Sequence, residues 1–389
     1  MGPGDRRLGA CCGLALAASS AAPGRAPVMP GEQVRSDADA AATARPSPPP
    51  EPRAPSPWPE LAALVPGVVV HGSGTWLQGR RVTTERLLLL EAAGVLAILA
   101  GGLVVYETGA ARDVAGPATL LIAAGTGALS SSLLASLYAT WAPRSGWAEP
   151  LGRLPRLVSA LGYTFADDPA FADHHFLTTE LEGRLGAWAL AVDALVSPSP
   201  GRERLAARAG YRLFGAREGS ARARDGSYLE PHIGLASERF DHYGFLTSSL
   251  ELAVDGRLDA ERLLPDVRGA FFQGTVGWSP QWTEFDVPGV NVTDASSLLL
   301  VHSGFGVYVG PGADPASGAA RGELELYYDH RRDGLAGGMK TLGPSSGFAG
   351  HVGLRGEYFA TESWGMRGRV ELGSTWVLGS SIVFRAGLP

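Results

Sequence analysis

The sequence predicts an antiparallel transmembrane β-barrel of about twelve strands (ten if neighbouring segments merge), preceded by an α-helical hairpin. Three observations predict this fold class. From about residue 157 onward, side-chain character changes at every residue, as in "GELELYYDHRR" (322–332), where Glu323, Glu325 and Asp329 alternate with Leu324, Leu326 and Tyr328. A strand sends such residues to opposite faces, whereas a helix scatters them. Upstream lie two long apolar segments, and the chain opens on a stretch laid out like an export signal.

That opening, residues 1–22, has a basic start at Arg6 and Arg7, a short apolar run and small residues after it, the pattern of a secretory leader. "LGAC" (8–11) looks like a lipoprotein cleavage box but lacks the apolar stretch that should precede it. Both cysteines, Cys11 and Cys12, fall in this leader, so a processed chain would hold no thiol, disulfide or Cys-based metal site. Residues 23–60, with "RPSPPPEPRAPSPWPE", are Pro-rich and without periodicity, a disordered spacer.

The third part, 61–145, carries the apolar pair. "LLLLEAAGVLAILAGGLVVY" (87–106) and "ATLLIAAGTGALSSSLLASLYATW" (118–141) are each long enough to cross a bilayer as a helix. Small residues at four-residue spacing, Ala93, Ala97 and Gly101 in the first and Gly127 and Ser131 in the second, predict the contact stripe. Glu91 is the candidate intramembrane ionisable residue, a functional position by default, with burial against the partner helix or an interfacial position as the plainer reading. Residues 65–90 loosely resemble the opening of small two-helix membrane domains. Gly72, Gly74 and Gly79 lack the spacing and the Lys-Ser/Thr of a phosphate loop.

The last part, 157–389, is the barrel. Twelve segments alternate, near 157–166, 173–184, 186–196, 203–215, 227–240, 243–255, 267–279, 295–309, 321–332, 347–360, 364–374 and 377–388. Most reach the roughly 9–11 residues a tilted membrane strand needs. Phe240, Tyr243, Trp278, Tyr308, Tyr358, Trp364 and Trp376 lie near segment ends and predict outward aromatic girdles. The candidate interior, or pore lining, is Glu323, Glu325, Asp329, Arg355, Glu357, Arg367, Arg369, Glu371 and Arg385. A one-residue slip would turn all of them to lipid. At roughly 2–4 kcal/mol for each basic residue at mid-membrane, and less for each acid, that exceeds the usual stability of roughly 5–15 kcal/mol. Alternation alone also allows an inner-membrane-anchored periplasmic β-sandwich that binds a partner.

The net charge of −6 leaves no basic footprint for nucleic acid. No two histidines have a zinc-helix spacing, and adjacent His302 and Ser303 would point to opposite faces, so no catalytic set, metal site or cofactor is expected. "NVT" (291–293) reads as part of an exposed loop. The layout of signal, Pro-rich spacer, helical pair and alternating domain resembles uncharacterised outer-membrane β-barrel proteins of Gram-negative bacteria. That resemblance implies an outer-membrane location, lipid bilayer and outer-membrane insertion machinery as partners, and small polar solutes as cargo if the lumen conducts. Many such barrels finish on an aromatic residue, whereas this sequence ends "AGLP" with Phe384 five positions earlier.

Overall fold

The structure, a computed structural model, describes residues 57–109, 112–142, 148, 154–167, 173–198, 201–217, 226–287, 290–310, 322–330, 350–373 and 375–387. The leader and most of the Pro-rich spacer lie outside the described residues. Twelve strands follow in order: β1 Leu157–Asp167, β2 His175–Leu185, β3 Trp188–Val196, β4 Arg202–Tyr211, β5 Tyr228–Phe240, β6 Phe245–Asp259, β7 Ala270–Val287, β8 Val290–Val309, β9 Gly322–Asp329, β10 His351–Phe359, β11 Trp364–Leu372 and β12 Trp376–Ala386. Each pairs antiparallel with its sequence neighbours, and β12 pairs with β1, closing the barrel. A sandwich is thereby ruled out, because the ladder has no free edge.

The alternation becomes a wall with two faces. Leu161, Leu181, Leu190, Val192, Leu205, Ile233, Leu235, Met366 and Ile382 are exposed on the outside, with charged residues at the intervening positions turned in. Water would not reward such an exterior; acyl chains do. Aromatic pairs mark the outer rims. Trp188 meets Tyr211 and Trp364 meets Phe384 at the rim where β1 begins (the proximal rim), and Trp376 meets Phe165 at the distal one. Two of the expected girdle residues turn the other way. Phe240 stacks under Arg202 inside, and Tyr308 points inward to donate to Asp259 Oδ1 at 2.7 Å. Each occupies the parity of the polar face, so pleat direction overrides chemical type.

Before the barrel come two short helices, α1 (Trp58–Leu64) and α2 (Ser73–Leu77), then the long helices α3 (Arg81–Thr108) and α4 (Arg112–Trp141). Both long helices exceed the roughly 20 residues that cross a bilayer. They cross at glycines, but the stripe differs from the spacing expected. A Cβ on Gly94 would come within 2.8 Å of the Gly125 carbonyl, and one on Gly101 within 2.7 Å of the Ala118 carbonyl. Leu87, Gly94 and Gly101 form the buried line, at seven-residue rather than four-residue spacing, whereas Ala93 is exposed. Gly127 belongs to a different contact. It faces Ser303 of β8, so α4 lies on the outer wall of the barrel while α3 lies outside α4.

The seam is apolar above and polar at its foot. Leu87, Ala135, Tyr138 and Ala139 pack with Leu264, Val267, Ala270 and Phe305. At the proximal rim the Tyr138 hydroxyl donates to the Arg268 carbonyl at 2.6 Å, and the Thr83 hydroxyl donates to Asp266 Oδ2 at 2.6 Å. Two of the three serines in the middle of the second segment find partners. Ser130 donates to the Thr126 carbonyl in its own helix, and Ser132 donates to the Leu87 carbonyl of α3.

Candidate functional site: the barrel lumen

On β9 to β12 the odd-numbered positions face inward, which turns Glu323, Glu325, Asp329, Arg355, Glu357, Arg367, Arg369, Glu371 and Arg385 into the lumen. Register sets opposite charges side by side at Arg355 and Glu325 and at Arg367 and Glu357, but like charges at Arg355 and Arg369 and at Glu357 and Glu323. Like charges directly opposite are unfavourable, and the side chains resolve this by turning elsewhere. Glu323 takes both terminal nitrogens of Arg257 from β6, at 2.7 and 2.9 Å. Arg369 leans toward Glu371 at 3.7 Å.

Glu325 is the most enclosed of the set, 1% exposed. It accepts from Arg355 at 2.6 Å and lies 3.1 Å from His302 Nε2, while the other ring nitrogen is 3.2 Å from Asp329. Tyr327 donates to Glu371 at 2.6 Å. Arg385 lies flat on Phe359, 3.6 Å from the ring centre, and its Nε donates to the Glu362 carbonyl. Arg367 bridges two strands, 2.8 Å from Glu357 of β10 and 2.5 Å from Glu180 of β2.

Several ties skip strands and cut across one side of the lumen rather than joining neighbours. Glu180–Arg367 and Arg257–Glu323 each reach across three strand spacings, as does the Arg184–Glu230 pair. Glu180, Arg184, Glu230 and Arg257 sit on β2, β5 and β6, outside the four strands to which the expected lining belongs. The same signal marks them: Glu180, Glu182 and Arg184 alternate along "TTELEGRL", and Asp255 and Arg257 along "AVDGRLD". A second cluster, in the proximal half of β5 and β6, joins His232 to Glu251 at 2.8 Å and to Asp255 at 3.2 Å.

Twelve strands about 4.8 Å apart and tilted about 40° make a cylinder roughly 24 Å between opposite backbones. Inward-reaching arginines fill part of that width, and two cavities lie beside them among the described residues. One of about 380 Å³ is lined by Asp193, Arg204, Arg208, Glu251 and Arg369, and one of about 430 Å³ by Arg184, Arg212, Arg257, Glu323, Arg355 and Arg385. Both are lined by Glu180 and Arg367, which stand where they meet. Of the candidate residues, Asp329 and Glu371 line neither cavity. Glu91 lies outside the barrel altogether, on α3, where its carboxylate accepts from the backbone N–H of His71 at 2.9 Å.

No protein-family model matches the chain, and no curated protein matches it. Among solved structures, similarity is found to the KdgM porin (8% identity, TM-score 0.37, covering 59% of this chain and 99% of that one). The Acinetobacter baumannii outer membrane protein Omp33 is similar at 10% identity and TM-score 0.33, covering 60% of this chain and 99% of that one. The translocator domain of the autotransporter NalP from Neisseria meningitidis gives 8% identity and TM-score 0.34, with 59% and 88% covered. These likenesses are remote, and the assignment rests on the closed ladder and the two faces of its wall. A closed, even-stranded antiparallel barrel with an apolar exterior is the architecture of the outer membrane, and the chain is an outer-membrane β-barrel on that ground.

Proposed function

We propose that the barrel is a narrow passive channel for small polar solutes, throttled where Arg367 joins Glu180 to Glu357. The observation that supports this reading is the pair of lumenal cavities that meet at Glu180 and Arg367. A lumen lined by both signs of charge favours water and polar solutes over apolar ones. Its width sets a low conductance, since the guanidinium and its two carboxylates occupy the passage between the cavities. The Arg367 side chain is 32% exposed, so the tie is a wet one. Removing it costs on the order of 1 kcal/mol, as for exposed ion pairs, rather than the roughly 3–5 kcal/mol of a broken buried pair. The passage can therefore be opened without losing the barrel.

Single-channel recording in a planar bilayer tests the proposal. The native chain should give small steady currents, and Arg367→Ala should raise conductance severalfold while retaining the folded-barrel gel mobility. If both chains leave the bilayer silent, the cross-lumen ties act as a plug and the barrel is structural.

A further inference from the structure

We propose that residues 58–79, the short-helix segment ahead of the hairpin, are embedded in the membrane leaflet at the proximal rim, covered by acyl chains. Their surface is apolar where it is most open: Val65 is 77% exposed, Val69 74%, Trp58 68% and Trp76 63%. From Leu61 to Gly79 the one ionisable residue is His71, and it is 2% exposed. A connection of this length facing water would carry charge; an open patch this apolar marks an interaction surface.

Hydrogen bonding supplies an independent observation. An irregular backbone at membrane depth is tolerated only when its donors are satisfied from within the protein. Here Leu61 and Val65 continue a helical ladder, and Val69 and Val70 both donate to the Pro66 carbonyl. His71 donates to Glu91 and Gly72 to Ser136 Oγ at 2.8 Å, one anchor on each long helix. Trp76, Gln78 and Gly79 donate back into the segment. The segment fits closely enough against α4 that a Cβ on Gly74 would fall 2.5 Å from Thr140 Oγ1. Glu91 thereby gains a reason to sit in an apolar helix.

The occupant follows from continuity. In α3, which follows the segment in the chain, Leu88, Leu89, Leu96 and Leu99 are exposed in the same way, and a bilayer surrounding the barrel is what would cover such a helix on its flank. Exposed Arg81 lies two residues past the segment, placed to reach headgroups, and Trp58 and Trp76 are of the type that settles at that depth.

Nitroxide labels test this in the full chain with Cys11 and Cys12 replaced by serine, reconstituted in phosphatidylcholine–phosphatidylglycerol vesicles. Labels go at Val65→Cys and Val69→Cys, with Leu190→Cys on the outer barrel wall as the lipid reference and Glu261→Cys on the proximal connection as the water reference. All four replaced side chains are exposed, and heat-dependent gel mobility checks folding in each. The expected result is oxygen collision at 65 and 69 matching position 190, with loss of the nickel-chelate collision seen at 261. Nickel-chelate collision equal to that at 261 would place the segment in water. Loss of both collisions would mean that protein covers it, a second copy included. Either outcome overturns the proposal.

Discussion

At the scale of single residues, parity decides more than chemical type. Leu326 and Glu325 are adjacent, yet the leucine meets lipid and the carboxylate is enclosed by Arg355 and His302. Leu326→Arg should therefore impair assembly, at roughly 2–4 kcal/mol for a basic group on the lipid face. Glu325→Leu should cost roughly 3–5 kcal/mol by leaving Arg355 and His302 without their acceptor, and Glu325→Gln should cost less, since it keeps an acceptor oxygen. Urea unfolding in lipid vesicles measures all three, with exposed Glu203→Gln as a reference expected within about 0.5 kcal/mol of native. The alternation made these faces legible in advance. What it left out was partner choice: nothing in a period of two says that Glu323 passes over its register neighbour Glu357 for Arg257 three strands away. Phe240 and Tyr308 show the complementary error, where aromatic chemistry suggested the girdle and the pleat put the rings inside.

Elements were legible as spans more than as contacts. The apolar runs marked α3 and α4, and Gly101 of the expected stripe does lie at the crossing, but its companions there are Gly94 and Gly125 rather than Ala93 and Gly127, because α4 divides its small residues between two neighbours. Gly127 serves the barrel. A Cβ there would lie 2.7 Å from Ser303 Cβ, so with a helix shift of about 1 Å, to the roughly 3.5–4.5 Å a disulfide needs, Gly127→Cys with Ser303→Cys should cross-link on mild oxidation, seen as altered gel mobility. Gly127→Cys with Leu190→Cys, on a distant part of the wall, should not. The folded segment ahead of the hairpin was hidden for a different reason: its short helices are set by tertiary hydrogen bonds and by Gly72, at φ +87°, rather than by periodicity.

On the scale of the whole molecule, a barrel carries a helical hairpin against its outer wall. Apolar helices ordinarily halt in the inner membrane, whereas a closed barrel continues outward. Here α4 gains a protein surface on β8, and Ser130 and Ser132 along it are hydrogen-bonded, so the pair is expected to travel as part of the barrel's flank. Fractionation should find the protein in outer-membrane vesicles. Closure of twelve strands was readable from the count of alternating segments, whereas the docking of the helices depended on contacts no single segment announces. Both the lumen and the lipid-facing flank rest on a cylinder that is closed and greasy outside. Its most direct test is electrophoresis in dodecyl sulfate of the purified chain, unheated and boiled. A fast unheated band that shifts to the slower position of the unfolded chain is the predicted result, and a single mobility in both lanes would contradict it.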